Sequence, residues 1–247
     1  AGGDDNSSDT LVGGGGNDNY YIGVGDQITG ESGGFDTVFV GAGVTYTLGG
    51  GIDAVQAANP NSSSGFTLVG DGNANNLGGG AGNDSISGLD GNDTLSGAGG
   101  NDTLGGGNAN DSLSGGLGND SLDGGADADT LVGTSADYAN GEGTDALAGG
   151  AGNDVYVVGT GDTVSEANNA GTDTVLLGGG LTTFALTNNL EALGVANGAD
   201  TQAYNLAGNS GDNTVTGAAG SDSLDAESGA DLIVGGGGTD TLDGDAG

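Results

Sequence analysis

The 247-residue sequence predicts an all-β fold: a right-handed parallel β-roll, also called a β-solenoid, built from two tandem similar modules. Three observations predict this fold, namely a nine-residue repeat, a short strand pattern inside each repeat, and a longer period that duplicates the repeats. A chain with 61 glycines, 35 acidic residues and no lysine, arginine or histidine would otherwise indicate disorder. The regular apolar period argues against disorder, because stacked repeats can bury a continuous core.

The first element is a run of six nonapeptides over residues 79–132. Each unit opens with a glycine-rich stretch, which favours a turn, and closes with a segment such as "DTLS", whose alternating side chains indicate a short strand. Two units therefore make one coil of a flattened roll, with the aliphatic residues of two sheets meeting inside. The aliphatic position holds Ile86, Leu95, Leu104, Leu113, Leu122 and Leu131, and the sixth position holds Asp84, Asp93, Asp102, Asp111, Asp120 and Asp129.

Further units lie on both sides of this run. One unit starts at Gly70 and has Asn75 in the aspartate position, and a second run of units starts at Gly208. Isolated units start at Gly13 and Gly149. The sixth positions of these additional units hold Asp18, Asp154, Asn213, Asp222, Asp231 and Asp240.

A longer period relates two parts of the chain. The segment from Leu11 parallels the segment from Leu147. In this alignment the pairs are Asp18 with Asp154, Tyr20 with Tyr156, Asp26 with Asp162, and Asp36 with Asp173. The sequence therefore predicts a first module over residues 1–133, an irregular junction over 134–148 where the nonapeptide rule lapses, and a second module over 149–247.

The charge restricts the partners that the chain can bind. The formal net charge is −35, so the counter-charge comes from outside the chain. Nucleic acids and anionic lipids would be repelled, and no apolar run is long enough to span a membrane. Cysteine and histidine are absent, which excludes a disulfide framework and the usual ligands of zinc and copper.

A hard divalent cation explains the pairing of glycine with aspartate. Each unit buries one large aliphatic side chain, worth roughly 1.5–3 kcal/mol, whereas ordering its backbone costs roughly 1–2 kcal/mol per residue. Protein contacts alone therefore look insufficient for stability. Calcium (Ca2+) accepts six to eight oxygen ligands, both carboxylates and backbone carbonyls, while magnesium demands stricter octahedral geometry. The sequence predicts several calcium ions in the turns between stacked coils.

The predicted ligands are of three kinds. Sixth-position carboxylates come from Asp18, Asp84, Asp93, Asp102, Asp111, Asp120, Asp129, Asp154, Asp222, Asp231 and Asp240. Backbone ligands are expected from Gly80, Gly82, Gly91, Gly100, Gly116, Gly118, Gly150, Gly152, Gly236 and Gly238. The longer segments add Asp36, Asp162 and Asp173. For these three, and for Asp26, Glu31 and Glu166, a solvated turn residue is an equally open interpretation. Tyr20 and Tyr156 occupy the inward position and are interpreted as core residues.

These residues resemble the RTX family, whose nonapeptide reads Gly-Gly-x-Gly-x-Asp-x-aliphatic-x. The unit "GGLGNDSLD" at Gly115 matches it in full. The resemblance implies a calcium-loaded parallel β-roll similar to modules of bacterial adhesins, surface-layer proteins and secreted polysaccharide-modifying enzymes. It also implies an extracellular or cell-surface location reached by type I secretion. The sequence departs from the pattern where Leu89, Ala98, Ala109 and Asp127 replace glycines, and where Asn75 and Asn213 replace aspartates.

Catalysis is not expected. The chain has no histidine, lysine or cysteine to act as a base or nucleophile, and few aromatics to line a sugar-binding cleft beside paired carboxylates. The expected function is a calcium-folded structural protein, a filament or surface-layer subunit, that self-associates head to tail into a homopolymer. The alternative is a calcium-folded accessory module of a larger secreted enzyme or adhesin. Contact with a glycan or a cell surface stays open.

Overall fold

The computed structural model describes residues 8–133, 143–168, 170–178 and 180–245. These residues form 25 β-strands and contain no helix, so none of them forms a helix that could cross a membrane. Glycine-rich turns separate the strands and keep them short. The strands are β1 (Thr10–Leu11), β2 (Asn19–Ile22), β3 (Gln27–Ile28), β4 (Thr37–Val40), β5 (Thr45–Thr47), β6 (Ala54–Ala57), β7 (Thr67–Val69), β8 (Asn76–Gly78), β9 (Ser85–Asp90), β10 (Thr94–Gly99), β11 (Thr103–Asn108), β12 (Ser112–Leu117), β13 (Ser121–Ala126), β14 (Thr130–Val132), β15 (Ala146–Ala151), β16 (Val155–Val158), β17 (Thr163–Ser165), β18 (Thr174–Leu177), β19 (Thr183–Ala185), β20 (Ala192–Val195), β21 (Asn205–Ala207), β22 (Thr214–Thr216), β23 (Ser223–Asp225), β24 (Leu232–Val234) and β25 (Thr241–Asp243).

The strands alternate between two sides of a solenoid. One side is a 12-stranded sheet, the long sheet, that contains the even-numbered strands from β2 to β24 in order. The other side has three parallel sheets, formed by β1 and β3, by the odd strands from β5 to β17, and by the odd strands from β19 to β25. Within each sheet, a strand therefore pairs in parallel with the strand two positions later in the chain, as in the pairings of β10 with β12 and of β11 with β13. This arrangement confirms the predicted all-β parallel roll.

The core lies between the two sides and follows the nonapeptide register. Leu95 lies beside Leu113 in the long sheet, and Leu104 lies beside Leu122 on the opposite side. These four side chains are at most 1% exposed. Tyr20 and Tyr156 are also buried in the core, which confirms their interpretation as core residues. Each nonapeptide thus contributes one side chain to a continuous apolar column.

The sheets run through the region of the predicted junction. Strand β13 pairs with β15, and β14 pairs with β16, so coils on both sides of residues 134–142 are joined directly by hydrogen bonds. Residues 134–142 of the predicted junction lie outside the described residues, whereas its residues 146–148 belong to β15. The two predicted modules therefore share the long sheet, and their division at 134–148 stays a prediction from the duplicated sequence.

Four residues that replace glycines keep the glycine conformation. Leu89 has φ 82°, Ala98 and Ala109 have φ 76°, and Asp127 has φ 74°. Gly107, in the same kind of turn, has φ 119°. A positive φ costs an L-residue with a side chain about 1–2 kcal/mol. The stacked neighbouring coils therefore impose the turn shape even where the local sequence opposes it.

Replacing one of these residues by glycine is expected to stabilise the calcium-loaded fold. Ala98→Gly should raise the free energy of unfolding by about 1 kcal/mol, because relief of backbone strain outweighs the added entropy of the unfolded chain. Ala81→Gly is the matched control, since Ala81 is exposed in a similar turn without a positive φ. Urea unfolding in calcium measures both variants. A lower urea midpoint for Ala98→Gly than for the parent chain would contradict the strain argument.

Candidate metal centre

Acidic and amide side chains form two columns along the axis of the roll, each member lying one residue before a strand. We call these the long-sheet column and the opposite column. The long-sheet column contains Asp18, Asp36, Asp53, Asn75, Asp93, Asp111, Asp129, Asp154, Asp173, Glu191, Asn213 and Asp231. The opposite column contains Asp9, Asp26, Asp84, Asp102, Asp120, Asp145, Asp162, Asp222 and Asp240. All the carboxylates predicted as ligands lie in these columns.

One carboxylate oxygen of each typical member links two coils. The backbone N–H of Asp84 donates to Oδ1 of Asp102 at 2.7 Å, one coil further along. The same contact joins Asp93 to Asp111 at 2.7 Å in the long-sheet column. A buried N–H is satisfied by each such bond. The short aspartate side chain therefore has a structural role before any ion is considered.

The other oxygen of many members is buried without a hydrogen-bond donor. Among the described residues this holds for Oδ2 of Asp18, Asp36, Asp93, Asp102, Asp111, Asp120, Asp129, Asp154, Asp173 and Asp231. Oε2 of Glu31, which lies outside the columns, is also buried without a donor. Burying an ionised oxygen without a partner costs far more than burying a neutral group. A row of such oxygens fits bound cations. The chain has no lysine, arginine or histidine side chain that could neutralise these oxygens instead.

Asp84 and Asp222 are among the members that differ from this pattern. Oδ2 of Asp84 accepts the N–H of Gly80 at 2.7 Å, and Oδ2 of Asp222 accepts the N–H of Ala218 at 2.8 Å. The structure thus satisfies both oxygens of these two carboxylates with backbone donors.

The first glycine of the nonapeptide makes room for the second carboxylate oxygen. A Cβ atom at Gly106 would overlap Oδ2 of Asp111 and would lie 2.6 Å from the carbonyl oxygen of Gly124 in the next coil. At Gly88, a Cβ atom would likewise overlap Oδ2 of Asp93. A carboxylate and a carbonyl oxygen therefore converge on a space that only glycine leaves open. Such a mixed oxygen set suits calcium.

The carbonyl groups predicted as ligands at the second and fourth positions lie differently. The carbonyl of Gly80 accepts the N–H of Gly99 at 2.9 Å. The carbonyl oxygen of Gly82 lies so close to Gly100 that a Cβ atom there would overlap it, and Gly118 carries the same restriction from the carbonyl of Gly100. First-position carbonyls, such as that of Gly124, instead border the same space as an aspartate Oδ2 atom. The role of the second- and fourth-position glycines as ligands stays a prediction.

Two clusters bring three carboxylates together. Oxygens of Asp18, Glu31 and Asp36 lie within 4.8 Å of one another, and so do oxygens of Asp154, Glu166 and Asp173. These residues correspond in the duplicated sequence, so the duplication has produced the same cluster twice. The structure therefore unites the predicted ligands Asp36 and Asp173 with the glutamates whose interpretation was open.

Asp162 and Asp26 are placed differently. Oδ1 of Asp162 accepts the N–H of Asp145 at 2.9 Å, and its Oδ2 accepts the N–H of Gly159 at 2.7 Å. Asp26 has equivalent bonds from Asp9 and Gly23. Both residues hold the turn together through backbone donors, and a metal role for Asp162 stays a prediction.

Four column members and a second ladder do not follow from the nonapeptide pattern. Asp9, Asp53, Asp145 and Glu191 continue the columns beyond the nonapeptide runs, and Oε2 of Glu191 accepts the N–H of Asp173 at 2.8 Å. The missed ladder consists of the asparagines before the aspartates. Oδ1 of Asn83 accepts the N–H of Asn101 at 2.9 Å, one coil further on. The recurrence of "ND" in successive units was the available signal.

Burial raises the pKa values of several column carboxyls. Desolvation raises the pKa of Asp102 and of Asp129 to about 7, and neighbouring carboxylates add to the effect. Desolvation likewise raises the pKa of Asp93 and of Asp173 to about 6. The backbone N–H bonds act in the opposite direction but do not cancel the desolvation. Without a cation, the fold therefore favours protonated carboxyls.

The raised pKa values predict that protonation of the carboxyls can stabilise the fold in place of calcium. Each carboxyl whose folded pKa exceeds its unfolded value contributes stability that is present below about pH 4 and is lost as the pH rises through about 6 to 7. In a chelator, the chain should hold β-structure at about pH 5 and lose it by about pH 8. Circular dichroism across this range measures the transition, and the same titration in calcium should show a fold that persists to pH 8. A chelated chain with more β-structure at high pH than at low pH would reverse the predicted sign.

Comparison with known protein families points to the same chemistry. The model of the RTX calcium-binding nonapeptide repeat matches in four copies, at residues 69–104, 105–137, 141–164 and 207–242. Together these stretches cover just over half of the chain. They contain the uninterrupted nonapeptide run but not the cluster of Asp18, Glu31 and Asp36. No curated protein matches the chain.

Proposed function

The chain belongs to the RTX calcium-binding nonapeptide repeat family, and from this premise we propose that it is an extracellular structural protein that folds on calcium and then self-associates head to tail. The observation that carries the calcium part is the row of buried, unpartnered carboxylate oxygens in the two columns. Bound calcium supplies the positive charge that these oxygens need. The polypeptide supplies the spacing, since Oδ1 of each typical aspartate holds adjacent coils together through a backbone N–H.

The proposed location is outside the cell or at its surface. Calcium sites of extracellular modules are weak, with dissociation constants of about 10⁻⁴–10⁻³ M, and they fill at the calcium concentrations found outside cells. The chain would stay unfolded where calcium is scarce, and it has no cysteine whose oxidation state could change on secretion. Both properties support secretion in an unfolded form, in agreement with the type I route that the family resemblance implies.

The proposed self-association uses the edge of the last described coil. Each coil offers the next one the same parallel hydrogen-bond spacing, so a coil of a second copy is a suitable partner for an open edge. Leu242, in β25, occupies the aliphatic position of its unit, where Leu104 and Leu122 in the middle of the roll are buried, and it is 50% exposed. A coil of a second copy would cover this side chain. Contact between unlike ends of identical chains is heterologous and produces an open filament.

We also propose that the described roll has no catalytic activity of its own. Its column carboxylates are held by backbone N–H donors rather than arranged beside a general base. The sequence has no histidine, lysine or cysteine. Paired carboxylates alone support glycoside hydrolysis, but such sites need a sugar-binding cleft.

Sedimentation velocity with calcium added stepwise to the chelated chain tests the proposed function. An expanded slow species that becomes a fast, heterogeneous polymer supports it. Conversion to a compact monomer and no further overturns self-association and favours an accessory module of a larger secreted enzyme or adhesin. An unchanged profile overturns the calcium role itself.

A pair of variants distinguishes a specific contact between chain ends from non-specific hydrophobic association. Leu242→Glu, in the last coil, should abolish the polymer and leave a calcium-folded monomer. Leu117→Glu is the matched control, because Leu117 is 49% exposed in the middle of the roll. Equal loss of polymer in both variants would argue against a head-to-tail contact.

A further inference from the structure

We propose that the clusters Asp18–Glu31–Asp36 and Asp154–Glu166–Asp173 form two calcium sites of a separate class, which bind more tightly than the column sites and have a tyrosine hydroxyl at their edge. The inference rests on the proposed calcium-dependent folding, which it deepens by assigning two sites with a different ligand set. Asp18, Glu31 and Asp36 lie outside the stretches that the family model matches, as do Glu166 and Asp173.

The dimensions of both clusters fit one calcium ion. Calcium–oxygen distances are 2.3–2.6 Å, so two ligands of the same ion lie at most about 5 Å apart. The three carboxylates of each cluster each offer an oxygen within 4.8 Å of the other two. A single ion can therefore reach all three side chains in each cluster.

The buried oxygens of the clusters need a partner. Asp36 and Asp154 are 0% exposed and Asp173 is 1% exposed, and Oδ2 of each has no hydrogen-bond donor. Oδ2 of Asp18 and Oε2 of Glu31 also lack donors. Nothing in the sequence can neutralise them, because it contains no basic side chain. The unpartnered oxygens distinguish these clusters from exposed groups of acidic residues.

The charge count predicts the order of binding. The affinity of oxygen-ligand calcium sites rises with the number of charged ligands and with rigidity. In the nonapeptide run, each coil adds one carboxylate to a column, whereas each cluster gathers three around one point. The cluster sites should therefore fill first as calcium is added, before the column sites.

A tyrosine lies beside each cluster and is fixed by the core. The hydroxyl of Tyr20 donates to Oε1 of Glu31, and the hydroxyl of Tyr156 donates to Oε1 of Glu166. Gly13 and Gly149 permit this approach, since a Cβ atom at either position would overlap the tyrosine hydroxyl. The backbone N–H of Gly13 also donates to Glu31 Oε1 at 3.0 Å. Glu31 is thereby oriented with its Oε2 left for the ion, whereas Oε2 of Glu166 also accepts the N–H of Ala167 at 3.2 Å.

Terbium luminescence provides a direct test, because Tb³⁺ occupies calcium sites and emits when a nearby aromatic residue absorbs light. The chain has six tyrosines and no tryptophan. Excitation of tyrosine should give strong emission on the first additions of Tb³⁺. The double variant Tyr20→Phe/Tyr156→Phe should lose most of this emission and still fold on calcium. Tyr46→Phe is the control and should retain it, because Tyr46 packs partly buried against the core and, unlike Tyr20 and Tyr156, its hydroxyl makes no hydrogen bond to a cluster glutamate.

The glutamates test the affinity. The double variant Glu31→Gln/Glu166→Gln should need about tenfold more calcium for the first step of a calcium titration, followed by circular dichroism, and little more for the later steps. Glu227→Gln, at an exposed glutamate outside both clusters, should change neither step. An unchanged first step in the double variant overturns the inference while calcium-driven folding stands. A parent chain that does not fold on calcium overturns the proposed function instead.

Discussion

Removal of calcium at neutral pH is expected to convert the folded roll into an expanded chain. The driving force is the accumulated cost of buried carboxylates in a chain with a formal net charge of −35 and no basic residue. A compact chain of this length has a radius of gyration of about 18 Å, whereas the unfolded chain reaches about 55 Å. Small-angle scattering of the monomeric variant Leu242→Glu before and after chelation should therefore show roughly a threefold increase in the radius of gyration.

Two controls separate coordination from simple screening. Sodium chloride at about 1 M shortens the Debye length to about 3 Å and weakens repulsion between exposed charges, but it should not restore the fold. Magnesium should restore it poorly, because the ion demands near-octahedral geometry and keeps several waters. Full refolding by salt alone would show that general repulsion, rather than ligand oxygens, opposes folding. An unchanged radius on chelation would contradict the calcium requirement altogether.

The nonapeptide period was sufficient to predict the core and most of the carboxylate columns. A constant spacing assigns each leucine to the inside, because every unit places it at the same point of the coil. Asp145 and Glu191 escaped prediction because the local sequence leaves the nonapeptide pattern. Asp145 follows Asp120 by 25 residues instead of 18, and Glu191 uses a longer side chain to make the bond that aspartate makes elsewhere. Contacts between coils, which no local pattern records, determine these positions.

The turns show a second limit of the sequence. A glycine in the sequence indicates a turn. The sequence alone does not distinguish a glycine required by a positive φ from one required by the close approach of a neighbouring group. Gly106 is restricted by Oδ2 of Asp111 and by the carbonyl of the next coil, whereas Gly107 has a positive φ and also lies against the carbonyl oxygen of Leu89. Ala98 shows that the positive φ tolerates a side chain. The steric need at the first position is therefore a property of the stacked coils.

Asp102→Asn is expected to change stability with opposite signs in the absence and presence of calcium. The carbonyl oxygen of the new side chain can still accept the N–H of Asp84, so the link between coils is retained. Asn75 shows that the fold accepts an amide at a column position, where its own N–H still donates to Asp93 at 2.7 Å. The substitution therefore removes a charge and leaves the architecture in place.

Without calcium the loss of charge is favourable. Burial raises the pKa of Asp102 to about 7, so this carboxyl is among the last to ionise in the folded chain. A neutral amide at this position should move the midpoint of the unfolding titration in chelator to higher pH. With calcium the same change removes a charged ligand, and the calcium concentration needed for folding at neutral pH should rise several-fold. Asp123→Asn, at an exposed aspartate of the next coil, is the control and should move neither midpoint appreciably.

Asp102→Ala distinguishes the two roles of the carboxylate. It removes the charge and also leaves the buried N–H of Asp84 without its acceptor, at a cost of about 1–3 kcal/mol. Alanine should therefore be less stable than asparagine in chelator at low pH, and both variants should need more calcium than the parent chain. If asparagine lowered the pH midpoint in chelator, the charge of Asp102 would be stabilising on its own. The claim that calcium offsets a buried and otherwise unfavourable carboxylate would then be wrong.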